Sequence, residues 1–204
     1  MSKNIAPDIA CAGQSNSTTT SFTVELFEYG GTLRARWNSD TEIEPDWAEL
    51  YLYLGDEVHR KHKTGIGKGE HDFGVNPGRG FRLALMANDF SGKPVEVVST
   101  GSTDDQGATS GPVTKRYVFT VSLYNSNSRA ELKWESDAPF RPRGAEYKLL
   151  VEGQAQAGKI EQVNGTKRFD NVRWGVGLAA AYTAESYGHH PPRIELVRTP
   201  ETQR

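Results

Sequence analysis

The feature that most constrains this chain is a near-repeat of itself at an offset of 97 residues. Phe22, Thr23 and Val24 return as Phe119, Thr120 and Val121, Leu26 as Leu123, and Trp37 as Trp134. Ser39 and Asp40 return as Ser136 and Asp137, and Ala48 and Glu49 as Ala145 and Glu146, without a gap. A unit this long exceeds any solenoid turn, so it reads as a duplicated domain. Further on the offset slips: Phe73 answers Phe169, Gly80 answers Gly175, and Leu83 answers Leu178. Near the end Val95 and Glu96 answer Ile194 and Glu195, and Thr100 answers Thr199. Slips of one or two residues are what loop insertions between matching strands produce.

The 204 residues suit two small domains, each with a modest core. With 36% hydrophobic and 25% charged residues the chain is expected to fold with a strongly solvated surface, as a soluble protein. A net charge of −2 argues against nucleic acid as the partner, because nonspecific binding rests on neutralising many phosphates. The charge is uneven. Residues 22–103 carry 9 Lys and Arg against 13 Asp and Glu, while residues 118–204 carry 12 against 10. This fits either drift on solvated faces or two surfaces meeting different partners.

Cys11 is the one cysteine, so no intrachain disulfide can form, which leans toward a reducing compartment. The N-terminal residues lack the apolar core of a signal peptide, and no stretch approaches membrane-spanning length. The expected setting is the cytoplasm, or release by a route other than ordinary export. The sequons at Asn16 and Asn164 matter only in a glycosylating pathway.

Residues 1–20 are polar, end in Ser17, Thr18, Thr19 and Thr20, and read as a flexible arm. From residue 21 the chain alternates. Phe22, Val24 and Leu26 share one face, as do Leu33, Ala35 and Trp37 with Arg34 and Arg36 opposite. Gly30 and Gly31 supply the turn between them. Residues 47–54 form the best strand of the first half, and Phe81, Leu83, Leu85 and Ala87 mark another. Between these, the polar stretch His59–His71 reads as a loop. About seven short strands per half and no convincing helix predict an all-β chain: a sandwich over 21–101, a Gly-rich linker over 102–116 that permits hinge motion, a second sandwich over 117–199, and a tail at 200–204.

Each half resembles a fibronectin type III domain, a member of the immunoglobulin-like β-sandwiches. The resemblance rests on a second strand ending in Trp (residues 33–37 and 130–134) and a third strand with Tyr51 and Tyr53, or Tyr147 and Leu149. In the first half it also rests on a proline-glycine turn at Pro77 and Gly78 followed by a strand. The resemblance implies that Trp37 and Trp134 are core residues between the sheets. The Tyr usual after that turn is Phe81 here, the turn is lost in the second half, and no Arg-Gly-Asp tripeptide is present. Fold analogy alone selects no function.

No nucleophile elbow, phosphate loop or paired cysteine motif is present, so neither catalytic residues nor cofactors are expected. Gly65, Gly67 and Gly69 lack the spacing of a phosphate cradle. His59, His62 and His71, with His189 and His190, form the only set from which a metal site could be drawn, and they read as solvated loop residues. Arg60, Lys61 and Lys63 likewise read as a solvated basic run. Once the two core indoles are set aside, Trp47, Trp174, Tyr182 and Tyr187 remain as aromatics that could cover the apolar face of a sugar or a partner. Against this, Trp47 and Trp174 fit a simpler role as caps on the sandwich ends.

The expectation is therefore a non-enzymatic binding or assembly protein that presents two sandwiches to a protein or glycan partner, with exposed strand edges open to self-association. The alternative is a lectin or toxin-like effector with an aromatic-lined pocket repeated in each domain.

Overall fold

The computed structural model describes residues 13–40, 43, 45–64, 67–104, 111–126, 128–172, 177–185 and 193–202. All regular structure among them is strand. The first half holds β1 (Gln14–Tyr29), β2 (Thr32–Ser39), β3 (Ala48–Leu54), β4 (Glu57–Lys63), β5 (Lys68–Asp72), β6 (Phe81–Asn88) and β7 (Pro94–Ser99). The second holds β8 (Val113–Ser126), β9 (Arg129–Ser136), β10 (Glu146–Val151), β11 (Gln154–Lys159), β12 (Gly165–Asp170), β13 (Leu178–Glu185) and β14 (Arg193–Arg198).

The alternation sorts the side chains. Phe22, Val24, Leu26, Leu33 and Ala35 are buried, while Arg34 and Arg36 face water and pair with Asp72, Glu25 and Glu70. Gly30 and Gly31 both take positive φ (64° and 81°), which a two-residue hairpin turn between twisted strands demands.

Sheet order is the main departure from expectation. β4-β3-β6-β7 and β11-β10-β13-β14 form one four-stranded sheet in each half, but the remaining strands join in a single six-stranded sheet, β12-β9-β8-β1-β2-β5. The junction is an antiparallel pairing of β1 with β8 that runs from Gln14↔Leu123 to Val24↔Val113. Residues 14–20, expected to be an arm, are thus the first half of β1, and residues 113–116, expected to be linker, belong to β8. A hinge between independent sandwiches does not fit a sheet that runs through both. One hydrophobic cluster also joins the halves, with Phe22 packed on Tyr117 and edge-on to Phe140 at 5.2 Å.

The correspondence between the halves extends to individual hydrogen bonds. Asp40 accepts from the Ser21 amide at 2.6 Å, and Asp137 accepts from the Val118 amide at 2.6 Å. Thr100 Oγ1 accepts from Leu83 N–H at 3.0 Å, and Thr199 Oγ1 from Ala180 N–H at 2.9 Å. Thr103 serves Phe81 as Thr202 serves Leu178, each at 2.9 Å. These bonds correct the expected match of Leu83 with Leu178. Leu83 corresponds to Ala180 at the undisturbed offset, and the insertion falls later, where Thr100 answers Thr199. A bulge interrupts the same place in both outer pairings, between Leu85 and Met86 and between Tyr182 and Thr183.

Both indoles are in the core, Trp37 at 9% and Trp134 at 7% exposure. Each lies over a glycine of the neighbouring strand, Gly69 and Gly165 respectively. A Cβ on either glycine would come within 2.1 or 2.2 Å of the ring. The absence of a side chain there is what lets a large ring lie flat in the sheet-to-sheet gap.

Candidate functional site

Successive residues of β3 point to opposite faces. Leu50 and Leu52 enter the core, which puts Glu49, Tyr51 and Tyr53 on the opposite face, and Trp47, just before β3, packs there as well. Trp47 stands edge-on to Tyr51 at 6.4 Å, and the Tyr51 and Tyr53 rings are 6.1 Å apart. Met86 and Ala84 of the adjacent β6 complete a small apolar cluster with them. Two cations cover the rings: Lys61 Nζ lies 4.4 Å from the centre of Tyr51, and the Arg82 guanidinium 4.4 Å from that of Tyr53. Glu96 holds Arg82 at 2.6 Å and accepts from the Ser99 hydroxyl. Partial burial opposes ionisation of Glu96, but the bonds from Ser99 and Arg82 outweigh it and keep the carboxyl below its ordinary value.

Trp47 has φ of 93°, a region that bulky residues rarely enter. The matching position of the second half is Gly144, at φ 60°. The chain therefore puts an indole where the same backbone turn is otherwise made by glycine. Lys148 and Leu150 stand at the positions of Tyr51 and Tyr53, so the aromatic outer face belongs to the first half among the described residues.

The other expected site residues are dispersed. Tyr182 is not a surface aromatic. It is 1% exposed, pairs with Tyr147, and packs edge-on to Phe119 at 5.5 Å, because Leu178, Ala180, Tyr182 and Ala184 form the inward face of β13. Burial pushes its hydroxyl above the usual phenol range. Trp174, Tyr187, His189, His190 and Cys11 lie outside the described residues.

His59, His62 and His71 are strand residues rather than loop residues. A bulge opposite Leu52 and Tyr53 makes His59 an extra residue in β4, with its ring 5.8 Å from Phe81, while His62 packs 6.1 Å from Trp37. His62 and His71 stack in parallel at 3.5 Å, across the side where the two sheets end. Burial, then the neighbouring His62, pull the His71 imidazole below its ordinary value. Among the described residues no three His, Cys, Asp or Glu side chains gather as metal ligands.

Tyr51, Tyr53, Lys61 and Arg82 are not marked as site residues in the sequence, where the two tyrosines belong to the third strand and Lys61 to a solvated basic run. The signal was present in the two-residue period of residues 47–53, which separates inward leucines from outward aromatics. Near the start of β10, a depression of about 380 Å³ is lined by charges that largely neutralise one another, Arg193 bonding Glu146 and Arg143 bonding the lining residue Glu185.

No family model matches the chain, and no curated protein matches its sequence. Among solved structures, a β-glucuronidase from Ruminococcus gnavus in complex with uronic deoxynojirimycin aligns at 11% identity and TM-score 0.25, over 91% of this chain and 45% of that one. A second structure of the R. gnavus enzyme gives 11%, 0.24, 91% and 35%, and one from an uncultured Clostridium species 10%, 0.23, 90% and 44%. The chain thus spans less than half the length of these proteins. Similarity at this level assigns neither a family nor an activity.

Proposed function

We propose that this chain is a non-enzymatic binding protein in which an immunoglobulin-like module of the fibronectin type III kind was copied in tandem, and the first copy acquired a recognition surface. The seven strands per half, three facing four, support the sandwich reading. The side-chain bonds shared at matching positions support the copying.

One observation carries the recognition surface: Trp47 is held at φ 93° where the other half uses Gly144. A bulky residue in that conformation costs on the order of 1–3 kcal/mol, and such strain is retained where the side chain is needed. Trp, Tyr and Arg are the residue types that dominate binding hot spots, and Trp47, Tyr51, Tyr53 and Arg82 cluster on one face. With Arg82 held by Glu96, Lys61 adds a cation to this face, which favours a partner whose apolar surface carries an acidic group. A protein partner fits better than a glycan held once per domain, since Gly144, Lys148 and Leu150 replace the aromatics in the second half.

The test is photo-crosslinking from position 53 in extracts of the source cell, alongside a glycan array, with Trp47→Gly as control. The proposal expects a discrete protein adduct lost in Trp47→Gly and a blank array. Array binding that depends on Trp47 would instead favour the lectin, and adducts indifferent to Trp47 would remove this face from the account.

A further inference from the structure

The two halves cover their core indoles in different ways. In the second half Tyr147 stacks on Trp134 at 5.2 Å and stands edge-on to Phe169 at 6.3 Å. Its ring lies over Gly158 of β11, where a Cβ would come within 2.2 Å of the phenol oxygen. In the first half Leu50 stands at the position of Tyr147, and His62, its partner across the β3–β4 pairing, at that of Gly158. The large side chain has moved from the inner strand to the edge strand.

His62 packs 6.1 Å from Trp37, His71 stands edge-on to Phe73 at 4.9 Å, and the two imidazoles stack at 3.5 Å with 10° between their planes. Two titratable rings on two strands thus make the bridge, from indole to phenylalanine, that one phenol makes in the other half. β4 and β5 are the edges of different sheets, so the stack joins one sheet to the other along this side. Both rings are half-buried, within reach of protons from water.

Stacked imidazoles are compatible while at least one is neutral; two imidazolium rings in contact repel. The partners directly opposite the pair, Leu50 of β3 and Ala35 of β2, bring no charge. Lys61 and Lys63 flank His62 on the other face of β4, with Glu49 opposite Lys63 in β3, and Arg60 donates to the His59 carbonyl at 3.2 Å. Glu70 and Asp72 flank His71 on the other face of β5, where Arg34 and Arg36 pair with them. Burial, then His62, hold the His71 imidazole below its ordinary value, and the charge of Asp72 acts the other way. The folded state therefore resists a proton that the unfolded chain accepts. The stabilisation is complete above about pH 6.5 and is lost as the pH falls below it.

We propose that the stacked pair is an acid-sensitive latch: below about pH 6 both rings take protons, the stack parts, and β4 separates from β5 over Trp37, while the second half, closed by Tyr147, stays shut. The latch stands whether or not the Trp47 face binds a partner.

Hydrogen exchange of the full chain at about pH 7.5 and about pH 5, corrected for intrinsic rates, tests the latch. Asp72 stays ionised over this range, because the Gly74 amide and the Thr32 hydroxyl hold its carboxyl below the usual value. Protected amides of residues 57–63 and 68–72 should exchange about tenfold faster at the lower pH, and those of residues 154–159 and 165–170 should change by less than about twofold. His62→Phe keeps a ring over Trp37 that takes no proton and should remove the difference. Should that variant not fold, Leu50→Tyr with His62→Gly, which installs the arrangement of the second half, decides in its place. If neither folds, the contrast between the two halves of the parent decides. Equal protection of residues 57–63 at both pH values, an equal loss at residues 154–159, or a loss that persists in the folded variant overturns the proposal.

Discussion

Thr20 and Tyr117 face each other across the β1–β8 pairing although they occupy the same position in the two halves. Both are buried, at 1% and 2% exposure, so the junction of the halves is core rather than linker. The pairing accounts for one long sheet and for a hydrophobic cluster that draws on both halves.

Gly69→Ala should destabilise the protein by about 1–3 kcal/mol, because the added Cβ meets the Trp37 ring and a packed core accommodates excess volume poorly. Gly165→Ala should behave alike through Trp134. Chemical denaturation of both variants checks this, and a loss at one glycine without the other would break the correspondence between the halves.

The threonines that serve strand amides give a second matched pair. Thr100→Val and Thr199→Val each leave a buried N–H without its acceptor, at Leu83 and Ala180 respectively. Each should cost about 1–3 kcal/mol, read from denaturant midpoints at unchanged slope.

Alkaline stability depends on Tyr117. Burial, with Asp137 and Glu96 adding to it, raises its hydroxyl above the ordinary phenol value of about 10. Below that pH both folded and unfolded states keep the proton, so its contribution is complete. As pH rises past it the unfolded chain ionises first and stability falls. Tyr117→Phe should reduce that alkaline decline, leaving the share that Tyr182 contributes, and at neutral pH cost about 0.5–1.5 kcal/mol for the lost bond to Val97. Melting temperatures from pH 7 to 11 test both parts.

Trp47→Gly should leave stability within about 1 kcal/mol of the parent. It gives up the half-buried indole's packing on Tyr51 but relieves a conformation that Gly144 adopts freely in the other half. A loss above about 3 kcal/mol would make Trp47 a structural residue and remove the argument for a recognition surface.

Much of this fold is written locally. The alternation around Phe22, Leu33 and Leu85 and the two tryptophans marks strands and inward faces, because period two is a property of neighbouring residues. The six-stranded sheet is not marked in that way. Ser17, Thr18, Thr19 and Thr20 carry no apolar period, and the partner that makes them a strand lies some hundred residues away. Threonine's preference for extended backbone was the available hint. Tyr182 misled for another reason: setting the two core indoles aside leaves it among the unassigned aromatics, and only its register with Tyr147 and its burial show that it belongs to the inward face of β13. His59 and His62 were obscured by the bulge at His59, which breaks the alternation that would have marked β4. The Trp47 surface is legible in residue type alone, whereas its strain is a backbone property that no composition reports.

Hydrogen exchange of the intact protein tests the central claim most directly. If β1 and β8 are the middle of one sheet, the slowly exchanging amides of residues 15–23 and 114–122 should match those of β2 and β9 in protection. Exchange at the rate of open chain across 15–20 and 117–122, with β2 and β9 still protected, would show two separate sandwiches and contradict the account.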